Sequence, residues 1–312
     1  MVGQFISPAG YADILDRGRA KQMPLLALAP ETLRTDYNRK PFLVGHDLLE
    51  ISLFDLDPLF ALCRRLPAEQ ILYRVGKIPG DTPLDSSYDD YKQGLTLEDV
   101  LQHFEERQAY ICINNPERDA TYRPLIEGLL GEIAAQTDPL DPVMSWYSSY
   151  IFISARDSVT PYHMDREMNF LLQIRGSKTV YLWDQDDDEI MDSEQKDRLL
   201  SRIGGRPAYQ PSFEAKALAF HLRPGTGVHH PFIAPHRVHT GAELSVSLAL
   251  TYRTRQSDMW TDAHRFNARM RGLGLRPAPV GRHAWLDRAK CGLARAGQRM
   301  HRMLGAAQHD AA

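Results

Sequence analysis

Cysteine is scarce in this 312-residue chain, which contains three cysteines. Cys63, Cys112 and Cys291 are widely spaced and form no CxxC pair, so the sequence argues against a disulfide-stabilised scaffold. A chain of this length can bury a core large enough to fold without disulfides or a structural metal. Few and dispersed cysteines are typical of a reducing compartment, and we expect a cytoplasmic protein.

Long apolar runs are lacking as well. The strongest candidate near the N-terminus, residues 24–30, is too short for the core of a signal peptide and far too short to cross a bilayer. The chain also has no internal repeat and no low-complexity tract. With 43% apolar and 25% charged residues, the composition is that of a globular protein, and we expect no membrane span.

Charge is unevenly distributed, although the net charge is only −3. From Arg253 onward, 12 basic residues stand against four aspartates, and the preceding residues carry a net charge of −11. A basic tail can bind nucleic acid or an anionic membrane, but this one lacks the interleaved aromatic residues that stack on bases. We therefore interpret it as a solvated helical face, or as one that docks on the acidic body, and expect no nucleic-acid partner.

A series of short β-rich segments begins at Ala109. Each is rich in Val, Ile, Phe, Tyr and Leu, and turn residues separate one from the next. The segments are residues 109–114, 149–154, 169–174, 178–183, 217–222, 227–232 and 244–252. Many short strands separated by turns predict an all-β barrel or jelly roll. A helix at 123–136 and an acidic, helical insert at 184–203 interrupt the series.

Helical patterns flank the β-rich series. Upstream, we expect a helix beginning near Asp57, a strand at 70–75 and a helix at 96–108. The last expected helix, residues 284–304, carries an apolar stripe suited to docking or dimerisation. The stripe consists of Trp285, Ala289, Leu293, Ala296, Met300 and Met303. We expect residues 1–255 to form the catalytic domain and residues 256–312 a basic helical region.

The triplet His163-Met164-Asp165 has the spacing of a metal site. Residues i and i+2 of a strand project from the same face, so an imidazole and a carboxylate can converge here on one ion. Two histidines and one carboxylate leave three positions of an octahedron open, as iron(II) needs to bind a bidentate 2-oxo acid and dioxygen. A chain with 12 histidines contains about one such triplet by chance, so the triplet alone is a weak signal.

Five later histidines are candidates for the third ligand. They are His221, His229, His230, His236 and His239. His236 follows Ala234-Pro235 and lies just before a strand entry at Val238, a position suited to a ligand. His229 is the second choice. Each of these histidines, taken alone, is more often a core or surface residue than a ligand.

The residues around the triplet resemble a known family. The similarity is close over residues 149–183 and looser over 222–252. The joint pattern TPxHxD…N…QIxGxK resembles the cupin-like JmjC oxygenases, the family of the asparaginyl hydroxylase that inhibits hypoxia-inducible factor and of bacterial cupin-like proteins. This resemblance implies a mainly β fold, a double-stranded β-helix (jelly roll) with flanking N-terminal and C-terminal helices. It also implies a homodimer formed through the C-terminal helices.

The resemblance further implies the metal ligands and the co-substrates. His163 and Asp165 match the first two ligands of iron(II), and His236 matches the distal histidine. The co-substrates of the family are 2-oxoglutarate and O2. Asn169 matches an asparagine beside the metal.

Three other residues match the family's 2-oxoglutarate pocket. Lys178 occupies the place of the lysine that pairs with the distal carboxylate of 2-oxoglutarate, Thr160 matches the threonine that assists it, and Tyr110 matches a tyrosine that reaches the same carboxylate. The family has a further asparagine late in the barrel. The corresponding strand here, Ser245-Val246-Ser247, has none, so that contact is lost or replaced by a serine.

Elementary electrostatics supports the assignment of Lys178 independently. This lysine follows the Arg175-Gly176 turn and begins the next strand, which we expect to neighbour the strand before it. A lysine that points into a barrel is costly to bury without an anionic partner. A carboxylate of 2-oxoglutarate would be that partner.

The sequence therefore predicts an Fe(II)- and 2-oxoglutarate-dependent dioxygenase that hydroxylates a C–H bond. We expect the substrate to be a protein or peptide side chain, with a small molecule as second choice and lysine demethylation as third, because no aromatic cage is evident. Two other classes are considered: a non-catalytic cupin that binds a ligand or metal as a regulator, and a zinc or manganese isomerase.

Overall fold

The β-rich segments form the strands expected of them. The computed structural model describes residues 3–19, 24–80 and 82–309. The strands in this part of the chain are β1 (Gln4–Phe5), β2 (Leu26–Ala27), β3 (Phe42–His46), β4 (Ile71–Arg74), β5 (Tyr110–Asn114), β6 (Met144–Ser154), β7 (Val159–His163), β8 (Met168–Arg175), β9 (Lys178–Leu182), β10 (Leu218–Leu222), β11 (Thr226–His230), β12 (His236–Thr240) and β13 (Ser245–Thr254).

Helices lie before, between and after the strands. They are α1 (Pro8–Arg19), α2 (Pro30–Asp36), α3 (Leu56–Arg65), α4 (Leu84–Asp90), α5 (Leu97–Gln102), α6 (Arg123–Thr137), α7 (Ser193–Ser201), α8 (Arg255–Gly272) and α9 (Ala284–His309). Within the described ranges, none is both long and apolar enough to cross a membrane. The helix expected over 96–108 is wrong in its second half. Its start is fixed by a capping box between Thr96 and Asp99, but it ends at Gln102.

Eight consecutive strands, β6 to β13, form two antiparallel sheets. In the larger sheet the order β11-β8-β13-β6 is extended on one side by β3 and β2 and on the other by β5 and β4, and β1 also pairs with β6. The smaller sheet has the order β10-β9-β12-β7. Four of the eight strands belong to each sheet, and the chain passes between the sheets at almost every connection. This topology confirms the expected double-stranded β-helix, or jelly roll.

The interior between the two sheets is lined by side chains from both. Its apolar residues are Tyr110, Cys112, Tyr150, Leu171, Val180, Leu182, Leu222, Val228, Ala234, Val238 and Ala249. Residues directly paired across a ladder point to the same face of a sheet. A polar residue paired with one of these apolar residues therefore also faces inward.

The chain divides into two compact units. The first contains residues 1–185 and 208–254 with both sheets; the second contains residues 186–207 and 255–312 with α7, α8 and α9. The acidic insert thus belongs with the C-terminal helices. In the second unit, buried Asp197 accepts hydrogen bonds from His264 Nδ1 at 2.7 Å and Arg271 Nε at 2.8 Å.

Helix α9 has a buried face and an exposed face within the second unit. Asp287, Lys290, Cys291 and Ala294 are buried. The expected apolar stripe lies on the other face, where Trp285 is 71% exposed and Leu293 is 60% exposed. Met300 and Met303 of that stripe lie outside the residues whose side chains are described.

Candidate metal centre

His163 and His236 come together because their strands pair. His163 is the last residue of β7 and His236 the first residue of β12, and the two are directly opposite each other. Their ring centroids are 4.1 Å apart. The register shifts by one residue between His236 and Val238, a bulge of the kind that often re-aims a side chain next to a site.

Asp165 completes the group. One donor atom from each of His163, Asp165 and His236 lies within 4.8 Å of the others, and Asp165 Oδ2 is 3.9 Å from His236 Nε2. The i, i+2 strand geometry expected for the triplet is wrong in one respect: β7 ends at His163, so Asp165 lies in the loop that follows. That loop, rather than the pleat of a strand, brings the carboxylate to the imidazoles.

The two imidazoles are held in the tautomer that a metal requires. Nδ1 of His163 contacts the carbonyl oxygen of Pro161 at 2.7 Å, and Nδ1 of His236 contacts that of Ala234 at 3.1 Å. Because a carbonyl oxygen can only accept, each Nδ1 carries the proton and the lone pair is on Nε2. Fixing the ring through its second nitrogen is the usual support of a metal-ligating histidine.

The chemistry of these donors fits iron(II). Two neutral imidazole nitrogens and one carboxylate are the protein ligands of 2-His-1-carboxylate iron(II) sites, which keep further coordination positions for exchangeable ligands. Both histidines are buried and Asp165 is half-buried, so an ion held by them would be largely shielded from solvent.

None of the other four candidate histidines belongs to the group of close donor atoms. His229 points away from the interior, stacks on Tyr37, and has a pKa lowered to about 3, mainly by burial. His221 is exposed, and the ring of His239 packs against Tyr181. His230 is buried with its ring 4.6 Å from that of His236, but it is outside the group of mutually close donors.

Asn169 lies across the β8–β11 ladder from His230. Its Oδ1 and both ring nitrogens of His230 are buried, and none of the three atoms has a hydrogen-bond partner in the described protein. Buried polar atoms are nearly always hydrogen-bonded, so these three are suited to contact a bound molecule beside the metal donors.

Lys178 points into the barrel, and its surroundings hold no carboxylate partner among the described residues. It is 4% exposed, its Nζ donates to Ser247 Oγ at 2.7 Å, and it lies 5.5 Å from the ring centre of Phe152. Burial lowers the pKa of this lysine from 10.5 to about 7. Ser247 lies on β13, the strand in which the sequence has no late asparagine. It is this serine that contacts Lys178.

Tyr110 and Thr160 contact each other in the interior between the two sheets. Their hydroxyl oxygens are 3.0 Å apart, which joins β5 of the larger sheet to β7 of the smaller one. Burial raises the pKa of Tyr110 to about 12, so its hydroxyl is protonated and able to donate near neutral pH. Of the expected site residues, Tyr110, Thr160, Asn169 and Lys178 lie on strands around this interior, whereas Asp165 lies in the loop beside His163 and His236.

One charged residue of this interior was not expected from the sequence. Arg74, at the end of β4, pairs with Tyr110 across the β4–β5 ladder and is 2% exposed. Because paired residues share a face, Arg74 faces inward with Tyr110. The sequence did contain a signal for this inward direction. Arg74 lies two residues after Leu72 in a short strand, so both side chains lie on the same face.

Comparisons with known proteins gave matches among solved structures alone: no family model and no curated protein matches the chain. The chain is similar to the X-ray structure of E. coli ycfD, with 15% identity and a TM-score of 0.46, covering 84% of this chain and 63% of that one. It is also similar to the crystal structure of Escherichia coli ribosomal oxygenase YcfD, with 13% identity and a TM-score of 0.46, covering 88% of this chain and 68% of that one.

A structure of YcfD in complex with cobalt and 2-oxoglutarate is similar as well, with 14% identity and a TM-score of 0.43, covering 83% of this chain and 61% of that one. The chain spans less than two thirds of the first of these structures.

Proposed function

We propose that this chain is an Fe(II)- and 2-oxoglutarate-dependent oxygenase that hydroxylates a C–H bond. The observation that carries the proposal is the combination of two features inside one jelly roll. His163, Asp165 and His236 offer three close metal donors, and Lys178 is a buried ammonium group with no carboxylate partner in the described protein. Binding of a metal alone would require only the three donors. Binding of a dicarboxylate to that metal would require both the donors and Lys178.

Different residues bind the two ends of 2-oxoglutarate. His163, Asp165 and His236 would hold the iron(II), and the 2-oxo acid end would bind at coordination positions that these three donors do not fill. Lys178 neutralises the distal carboxylate, and the hydroxyls of Tyr110 and Thr160 donate hydrogen bonds to it. Bound iron(II) supplies the redox chemistry by which 2-oxoglutarate and dioxygen give succinate, carbon dioxide and a hydroxylated product. The buried walls exclude water from the reacting atoms.

We propose a protein or peptide side chain as the substrate, with a small molecule as the second candidate. Family resemblance around the His163–Asp165 triplet favours the first. Asn169 and His230 have buried polar atoms that are free to contact a substrate group beside the metal. Screening peptides and small amines or acids for stimulation of succinate formation would identify the class.

A non-catalytic cupin regulator is the competing function. Such a barrel needs neither a complete facial triad nor a buried lysine aimed at a second carboxylate. The test is succinate formation from 2-oxoglutarate by protein supplied with iron(II), oxygen and ascorbate, without prime substrate. We expect succinate from the wild type and none from His163→Ala or Asp165→Ala, since each removes a donor. Equal succinate from the wild type and both variants would refute the assignment.

We also propose that the chain forms a homodimer through α9. Trp285 and Leu293 are eight residues apart, so they lie on one face of the helix, and both are largely exposed. Exposed large apolar side chains in such a row are typical of an interaction surface.

A further inference from the structure

Arg74 is a fixed positive charge inside the barrel. The centre of its guanidinium group lies 4.3 Å from the ring centre of Tyr110 and 5.6 Å from that of Tyr88. At these distances the cation is attracted to the faces of both rings. The guanidinium group of Arg74 therefore braces the tyrosine whose hydroxyl faces Thr160.

The hydrogen bonds of Arg74 leave it incompletely satisfied. Its Nη2 donates to the carbonyl oxygen of Val159 at 2.5 Å. Its Nε and Nη1 are buried, and among the described residues neither has a hydrogen-bond partner and no carboxylate forms an ion pair with Arg74. A guanidinium group remains protonated at every physiological pH, so burying it without an anion is costly. Two unused donors on a buried cation point to an anionic ligand.

Arg74 belongs to the same interior as the 2-oxoglutarate residues. Its acceptor, Val159, directly precedes Thr160, and its aromatic neighbour, Tyr110, lies 3.0 Å from the Thr160 hydroxyl. Burial raises the pKa of the Cys112 thiol to about 12, and both Lys178 and Arg74 oppose that rise. Phe152 links the two cations, because its ring centre lies 5.5 Å from Lys178 Nζ and 6.1 Å from the ring centre of Tyr110, which Arg74 contacts. Lys178 and Arg74 therefore line one buried space.

We propose that Arg74 is the second cation of the 2-oxoglutarate site, a ligand-binding residue that also orients Tyr110 and restricts the site to 2-oxo acids with a second carboxylate. This inference rests on the proposed function. Lys178 and Arg74 then share the attraction of the distal carboxylate, and the fixed charge of Arg74 remains when the lysine is neutral. A 2-oxo acid without that carboxylate would leave two buried cations uncompensated.

The experiment compares two ligands on protein loaded with manganese(II) in the absence of oxygen. Calorimetry gives the dissociation constants of 2-oxoglutarate and of 2-oxopentanoate, which has the same chain length but no distal carboxylate. Arg74→Gln should bind 2-oxoglutarate roughly 10- to 100-fold more weakly, because a charge-assisted hydrogen bond is lost. Its affinity for 2-oxopentanoate should not change. Arg74→Lys should restore part of the 2-oxoglutarate affinity.

Two further measurements separate ligand binding from a structural role. The unfolding temperature of ligand-free Arg74→Gln should be no lower than that of the wild type, because a buried, unpaired charge has been removed. Arg34→Gln, which changes an exposed arginine paired with Glu31, is the matched control and should alter neither dissociation constant.

The possible failures are distinguishable. If Arg74→Gln binds both acids more weakly and unfolds at a lower temperature, Arg74 is a structural brace and the inference is overturned. If the wild type binds 2-oxoglutarate and Arg74→Gln binds it equally well, the inference also fails, while the proposed function stands. If the loaded wild type binds neither acid, the proposed function fails, and the inference with it.

Discussion

Replacing Lys178 by Met should stabilise the ligand-free protein while abolishing its affinity for 2-oxoglutarate. Methionine has a similar volume and no charge, so the barrel interior can accept it without a cavity. The drop in the pKa of Lys178 from 10.5 to about 7 corresponds to at most about 5 kcal/mol of destabilisation at a pH where the lysine is charged in both states. The lost hydrogen bond to Ser247 and its unsatisfied hydroxyl offset about 1–2 kcal/mol of that gain.

The sign of the pH dependence follows from the lowered pKa. Below pH 7 the lysine is protonated in the folded and the unfolded chain, and the whole cost of burial is present. Between pH 7 and 10.5 the folded protein has lost the proton and the unfolded chain keeps it, so wild-type stability rises by up to about 1.4 kcal/mol per pH unit. The stability advantage of Lys178→Met should therefore be about 3–4 kcal/mol at pH 6 and only about 0–1 kcal/mol at pH 9.

Urea unfolding of the wild type and of Lys178→Met at pH 6 and pH 9 measures this difference, and calorimetry with 2-oxoglutarate measures the lost affinity. Lys77→Met is the control, because Lys77 has a side chain that is 62% exposed. It should change neither quantity. A variant that is less stable than the wild type at pH 6, or a difference that does not vary with pH, would refute the view of Lys178 as an uncompensated buried cation.

Three other predictions concern single contacts. Tyr110→Phe removes the hydroxyl that lies 3.0 Å from Thr160 Oγ1, and calorimetry should show about fivefold weaker 2-oxoglutarate binding with the fold intact; unchanged affinity would remove Tyr110 from the site. Ser247→Ala removes the acceptor of the buried ammonium group and should lower the pKa of Lys178 further, so that 2-oxoglutarate affinity begins to fall at a lower pH than in the wild type. Trp285→Glu combined with Leu293→Glu should convert a dimer to a monomer in light scattering, and a monomeric wild type at micromolar concentration would contradict the dimer.

The strands could be predicted from the sequence, but their assignment to sheets could not. Lys178 begins a strand, as expected, yet that strand does not neighbour the one before it: β8 lies in the larger sheet and β9 in the smaller. Gly176 makes this corner with a φ of 66°, and a Cβ there would lie 2.2 Å from the carbonyl oxygen of Leu244. An alternating pattern identifies the inward face of a strand but not the sheet to which the strand belongs.

The early end of α5 shows how a local conformation overrides a helical pattern. Residues 103–108 have the composition of a helix, but Gln108 has a φ of 48°, in the left-handed region. The amide of Ala109 then donates to the carbonyl oxygen of Phe104, which turns the chain into β5. Nothing in the sequence marks Gln108 for this conformation, since glycine and asparagine are the usual residues there.

The candidate site could be predicted to the extent that its residues lie in one recognisable segment. The His163–Asp165 triplet, Asn169 and Lys178 all lie within a segment of 16 residues, and the structure brings His163 and Asp165 together with the distant His236. Arg74 lies far upstream, and its inward direction depends on pairing with Tyr110, a long-range contact that propensity and spacing do not reveal. The roles of these residues stay predictions until binding is measured.

Metal binding tests the central claim most directly. Metal-depleted wild-type protein is titrated anaerobically with iron(II), followed by 2-oxoglutarate, beside His236→Ala and the exposed-histidine control His221→Ala. We predict one iron per chain in the wild type and in His221→Ala, 2-oxoglutarate binding that requires the iron, and a large loss of both in His236→Ala. Undiminished iron binding by folded His236→Ala, or 2-oxoglutarate binding that is independent of the metal, would contradict the account.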